Sequence, residues 1–176
     1  MVFWHLIDGL LLAYGRAGEG FLLPFWPVLL AFTPLTVLIH ELGHGVVGAA
    51  VTKRPVKIHI GLGSAWCKLM GEGRITVRAY AAFVGAGPLA SFVQVAVALW
   101  LAALAEPGSI TQWVIFACAL NGVLCGVLSL VPMELDGATT DGQKLLDLGR
   151  WIFAGRRPGW LPGDDPHVAR SDAPPG

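Results

Sequence analysis

The sequence is poor in charge. Only 14% of its 176 residues are Asp, Glu, Lys or Arg, against about 25% in a typical soluble domain, while 55% are apolar. So few charges cannot cover a water-facing surface, which argues against an ordinary soluble domain and for a lipid solvent. Net charge is zero, so no basic field draws nucleic acid and no such partner is expected. Cysteine is scarce as well. Cys67, Cys118 and Cys125 form no CxxC pair and no even-numbered framework, which argues against a disulfide scaffold and against redox or cysteine–metal chemistry. They read as small packing residues.

The start of the chain, residues 1–20, is apolar from Met1 to Tyr14, has no basic leader and is interrupted by Asp8. It reads as an interfacial or extra membrane segment and not as a cleaved signal peptide. Long charge-free runs dominate the chain from there to Val131. Phe21 to Ile39 has no charge, and beyond His40 and Glu41 the apolar character resumes to Val51. Ala79 to Leu104 and Ile110 to Val131 are also uncharged, joined through the turn Glu106-Pro107-Gly108-Ser109. Each run meets the roughly 20 apolar residues that a membrane-crossing helix needs. Pro24, Pro27 and Pro34 predict a kinked or irregular first half for the first run.

Between the first and second runs, Thr52 to Arg78 carries Lys53, Arg54, Lys57, Lys68, Arg74 and Arg78 against the single acid Glu72. Val56–Ile60 and Arg74–Arg78 alternate in period two around glycine-rich sequence, which predicts a short β-hairpin. After Pro132 the chain turns polar, gives an amphipathic helix from about Gly142 to Phe153, and from Arg156 to Gly176 reads as a disordered tail. The fold class is thus an all-α polytopic membrane protein: a core at 21–155 with three transmembrane helices and a hairpin after the first. The basic loop and the basic C-terminal segment place those parts in the cytoplasm. The expected location is a multi-pass place in a membrane, a prokaryotic cell membrane from the compactness of the chain.

His40-Glu41-Leu42-Gly43-His44 fits HExxH. Residues four apart share a helix face, so both imidazoles reach one ion, and Glu41 is placed to take a proton from metal-activated water. The bland alternative is a chance motif of core histidines. The setting weighs against it, because three ionisable groups within five positions of an uncharged run are costly to bury unless they pair or bind metal. Zinc suits the pattern, since three protein ligands leave one position open for catalysis. The third ligand is sought after the last run, where Asp136 and Asp141 are each followed by glycine. Asp141 opens the helix that would fix its direction, whereas Asp136 sits in a loop. Either residue could instead be a turn or N-cap aspartate. His5, His59 and His167 are weaker candidates. Topology brings the end of the third run to the membrane depth of the histidines.

On these residues the chain resembles the site-2 protease family of intramembrane metalloproteases over roughly Phe21 to Arg150. The blocks that carry the resemblance are His40 to His44, Gly87-Pro88-Leu89-Ala90-Ser91, and Leu130-Val131-Pro132 leading to Asp141-Gly142. The resemblance implies three core transmembrane helices, zinc held by two histidines and an aspartate, and cleavage of a transmembrane protein substrate. A TDG ending favours Asp141 as ligand; the LDG form would favour Asp136. Ser91 and Ser129 stand where the family usually has asparagine, so the substrate or oxyanion role falls to Ser129 or to Asn121 on the same run. The active site is expected towards the cytoplasmic side, with an edge of the hairpin available to an extended substrate. No soluble regulatory domain fits in this length, so a regulatory partner would be another membrane chain. Two rival readings are an inactive scaffold that retains the metal and a metal transporter. An intact Glu41 argues against the first. The few polar residues of the later runs, Gln94, Gln112 and Asn121, argue against the second.

Overall fold

The computed structural model describes residues 19–61, 64–71, 75–135 and 138–154, with side chains from Pro27 onward except at 135, 138 and 154. The expected N-terminal segment before residue 19 and the C-terminal tail lie outside the described residues. Helix α1 spans Glu19–Thr52, followed by strands β1, Val56–Ile60, and β2, Ala65–Leu69. Helix α2 spans Val77–Leu104 and α3 spans Ile110–Leu130. Short strands β3, Glu134–Leu135, and β4, Ala138–Thr139, lead to α4, Asp141–Ala154. Three helices are long and apolar enough to cross a membrane: Pro27–Thr52 within α1, then α2 and α3. Each packs against the other two.

Local chemistry sets the ends of these elements. Thr76 and Ser109 cap α2 and α3, their hydroxyls accepting from the N–H groups of Ala79 and Gln112 at 3.1 Å. Helix α1 stops at Lys53, which adopts φ +56° and donates its N–H to the Ala49 carbonyl. Pro55 then blocks continuation. Despite Pro24, Pro27 and Pro34, α1 is helical from Glu19 to Thr52, so its first half does not begin irregularly. The hydrogen bonds that proline removes are outweighed by packing against two neighbouring helices.

The expected hairpin exists, but its second strand lies earlier in the chain than expected. β1 pairs antiparallel with Ala65–Leu69, with Val56 opposite Leu69 and Ile60 opposite Ala65. The segment expected to form the second strand behaves differently: Thr76 is a helix cap, and Val77 and Arg78 form the first turn of α2. The capping threonine before a long apolar run outweighs the two-residue alternation of Ile75 and Val77. The hairpin folds back along α1, its Ile58 and Leu69 lying against Gly45 and Gly48. A Cβ on Gly45 would sit 2.9 Å from Ile58 Cδ1.

In place of core charges, polar side chains join the helices. Gln94 Nε2 donates to Thr36 Oγ1 at 2.9 Å and to the Cys118 carbonyl at 3.2 Å. Asn121 Nδ2 donates to the Leu29 carbonyl at 2.6 Å, and Thr33 Oγ1 donates to Asn121 Oδ1 at 3.1 Å. Such bonds hold membrane helices together where no hydrophobic driving force exists between them.

Candidate metal centre

His40 and His44 share one face of α1 and meet Asp141 at the start of α4. Thr140 places the aspartate. Its hydroxyl donates to the Val131 carbonyl at 2.7 Å and accepts from Gln143 N at 3.3 Å, so Thr140 caps α4 and leaves the Asp141 carboxylate free. Gly142 lies so close to the backbone of Leu130 that no side chain fits there. α4 is thereby pressed against the end of α3.

The three donor atoms converge. His40 Nε2 and His44 Nε2 each lie 3.1 Å from Asp141 Oδ2, and 3.2 Å from one another. A tetrahedral ion bound at about 2.0–2.1 Å wants donors roughly 3.3 Å apart, so the triangle fits with little adjustment. All three residues are buried, at 5–7% exposure, and among the described residues this is the His/Cys/Asp/Glu group able to hold a metal ion.

The far sides of the rings bear on what the centre can hold. His44 Nδ1 lies 2.7 Å from the Phe83 carbonyl, which only accepts, so Nδ1 carries the hydrogen. His40 Nδ1 lies 3.0 Å from Ser91 Oγ, which in turn lies 3.4 Å from the Gly87 carbonyl. The neutral His44 ring thus presents an Nε2 lone pair to the centre, and His40 does the same in the tautomer that donates to Ser91. The Lys144 ammonium, 3.4 Å from Asp141 Oδ1, favours the ionised carboxylate. Two such rings and a carboxylate form a donor set that can hold a metal ion. A proton on one ring satisfies only part of the triangle, whereas a metal ion satisfies all of it.

The space around the centre is equally specific. Gly87 faces both rings, and a Cβ there would collide with His44 and sit 2.7 Å from His40 Nε2. Gly43 lets α1 meet α2 at the same level, its Cβ position being 2.6 Å from Ala90 Cβ. Glu41 is 7% exposed, and its Oε2 has no hydrogen-bond partner. A cleft of about 480 Å³ opens onto Glu41, His44 and Asp141, bordered by Ala65, Cys67 and Lys144 among others. Burial, then the charge of Glu41, pushes the Cys67 thiol up to about 11, so it borders the cleft as a neutral group. A larger groove of about 630 Å³ among α1, α2 and α3 contains no histidine and no charged residue and is not the chemical site.

Compared with family models, curated proteins and solved structures, the chain matches none. The functional reading therefore rests on the site itself.

Of the residues expected from sequence, His40, His44, Asp141 and Glu41 come together. Asp136 lies outside the described residues. Asn121 is not brought to the site: both ends of its amide are engaged by Leu29 and Thr33, and Thr33 is seven residues, or about 10 Å of helix, from His40. Ser129 donates to the Gly126 carbonyl of its own helix at 3.0 Å and is not among the residues bordering the cleft. His59 stacks on Trp66 on the hairpin. Three features of the site do not emerge from the sequence reading. The Phe83 carbonyl is backbone and leaves no mark in the sequence. Ser91 stands out there only as a departure from asparagine. Lys144 counts there only as a basic residue of the amphipathic helix, although its place three residues after Asp141 on a helix is a usable signal.

Proposed function

We propose that the protein is an intramembrane zinc metalloprotease of the site-2 type, hydrolysing peptide bonds in or near transmembrane segments of membrane proteins. The observation that carries this reading is Glu41. Its Oε2 is buried without a partner, and the residue borders the same cleft as His44 and Asp141. A purely structural metal site has no use for a base there. His40, His44 and Asp141 are the zinc ligands, a donor set that leaves one position open. Zinc, when bound, supplies the Lewis acidity that makes water nucleophilic near neutral pH.

The chain's own groups do the rest. Glu41 Oε2 takes the proton of the attacking water and returns it to the leaving amine. Lys144 Nζ, 3.4 Å from Asp141 Oδ1, borders the cleft and offers positive charge to the developing oxyanion, the role expected from sequence for Asn121 or Ser129. A helical substrate must first unwind, because its amides are otherwise hydrogen-bonded. The unwound strand has an edge to pair with. Bonds from Gly61 N to Ser64 O and from Met70 N to Pro55 O fix the ladder. In that register Lys57–Lys68 and His59–Trp66 are the hydrogen-bonded pairs, and Ala65 and Cys67 turn their N–H and C=O groups outward. Both residues border the cleft.

The test is cleavage of a model transmembrane substrate by wild type and Glu41→Gln, with bound zinc measured in both. The expected result is one zinc per chain in each and cleavage lost in the variant, by at least the 10²-fold typical of a missing general base. Equal zinc with no cleavage by wild type against a panel of substrates would favour a metal-retaining scaffold, the reading that the serines at 91 and 129 support.

A further inference from the structure

The charges that this mechanism leaves unused gather on one surface. On the outer face of the β1–β2 hairpin, Lys57 stands opposite Lys68, and His59 stands opposite Trp66. All four are exposed. Like charges facing each other across a ladder destabilise it, and among the described residues no ion pair involves either lysine. Lys57 Nζ lies 5.9 Å from the centre of the Trp66 ring, which stacks on His59 at 5.1 Å and 19°.

The hairpin's position gives this face a direction. Ile58 and Leu69 pack on Gly45 and Gly48, inside the apolar span that ends at Thr52. Gly45 is about 10 Å of helix below that end. Ser64 and Ala65, near the tip, border the cleft that holds Glu41. Passing from base to tip, the outer face therefore meets two lysines first and two stacked aromatic rings next. That order follows the polarity gradient of a monolayer, with cations at the phosphates and aromatic rings below them.

We propose that this outer face is a docking surface for the headgroups of anionic phospholipids. The phosphodiester lies between Lys57 and Lys68, and the glycerol and upper acyl chain lie along Trp66. The bilayer is the occupant because the face runs beside a membrane span and grades from charge to aromatic towards the membrane interior. An acidic protein segment would be matched by the lysines but not by the rings beneath them. Trp66 also borders the catalytic cleft, so a docked headgroup steadies the strand whose edge faces Glu41. The surface stands on the fold and its charges, and does not depend on the protease reading.

The test is native mass spectrometry of the full chain in detergent, offered phosphatidylglycerol or phosphatidylcholine with identical acyl chains. Wild type is expected to retain phosphatidylglycerol preferentially. Lys57→Gln/Lys68→Gln should lower that preference about 30-fold, from roughly fivefold per lysine at an anionic surface. Lys57→Arg/Lys68→Arg should keep it, as should Arg150→Gln on α4. Bound zinc, measured on the same samples, reports separately on the metal centre. Equal retention of the two lipids by wild type would overturn the proposal. So would an undiminished preference in the double glutamine variant, or displacement of phosphatidylglycerol by a soluble polyglutamate peptide at lower concentration than by the lipid itself.

Discussion

Gly87→Ala adds one methyl group at the metal centre. The new Cβ would stand 2.5 Å from His44 Cε1 and 2.7 Å from His40 Nε2, where carbon contacts want about 3.5–4.0 Å. Something must move by about 1 Å. The rings have little freedom to do so, because His44 is tied to the Phe83 carbonyl at 2.7 Å and His40 to Ser91 at 3.0 Å. A metal site tolerates errors of about 0.2 Å. Since loss of an outer-shell partner alone weakens metal binding about 10–100-fold, direct displacement of two ligands should exceed that range. Overpacking should also cost about 1–3 kcal/mol, against about 1 kcal/mol gained from replacing a helical glycine. Gly85→Ala, two residues earlier on α2, is the control, since a Cβ there meets nothing within 4 Å. It should bind metal like wild type and change stability by no more than about 1 kcal/mol. Metal per chain in graded chelator buffers and thermal unfolding in one detergent read both variants. If Gly87→Ala bound metal within tenfold of wild type, the proposed packing of helices around the ion would be wrong.

Other substitutions separate ligand support, substrate pairing and helix packing. Ser91→Ala should weaken metal binding about 10–100-fold with little loss of fold, measured by chelator competition. Cys67→Pro removes an N–H that the hairpin does not use but a paired substrate would, as edge strands tolerate. Cleavage should fall about 2–10-fold, the worth of one lost hydrogen bond, with zinc unchanged, whereas unchanged cleavage would remove the pairing role. Asn121→Leu should lower stability by about 0.6–1.7 kcal/mol, the range for interhelical hydrogen bonds in membranes, while leaving metal content intact. Unfolding in mixed micelles checks the first part and elemental analysis the second.

Much of the site is legible in the sequence because its signals are short-range or topological. The four-residue spacing of His40 and His44 fixes a shared helix face without any knowledge of the bundle. Asp136 and Asp141 follow from where the third apolar run must end, and the helix that opens at Gly142 favours Asp141. What depends on helix rotation is not legible: Asn121 and Ser129 lie on the expected helix, but which turn faces the centre is set by packing, and Asn121 faces α1 instead. The hairpin's second strand is hard to place because Arg74–Arg78 alternates, whereas Ala65-Trp66-Cys67 is apolar at three successive positions and shows no period of two. A period-two pattern does not name its partner, and the threonine cap at 76 resolves the matter in favour of a helix. The short pairing of Glu134–Leu135 with Ala138–Thr139 is held by two residues on each side and leaves almost no sequence pattern. Gly87 does leave a signal, since Gly-Pro inside an apolar helix has no propensity reason to exist and points to a close approach.

X-ray absorption at the zinc edge, on wild type and Asp141→Asn purified in parallel, bears most directly on whether His40, His44 and Asp141 hold one catalytic ion. The expected result is about one zinc per wild-type chain with only nitrogen and oxygen donors at about 2.0–2.1 Å, and loss of that zinc in Asp141→Asn. Wild type without metal, a sulfur donor near 2.3 Å, or an Asp141→Asn spectrum and stoichiometry identical to wild type would contradict it.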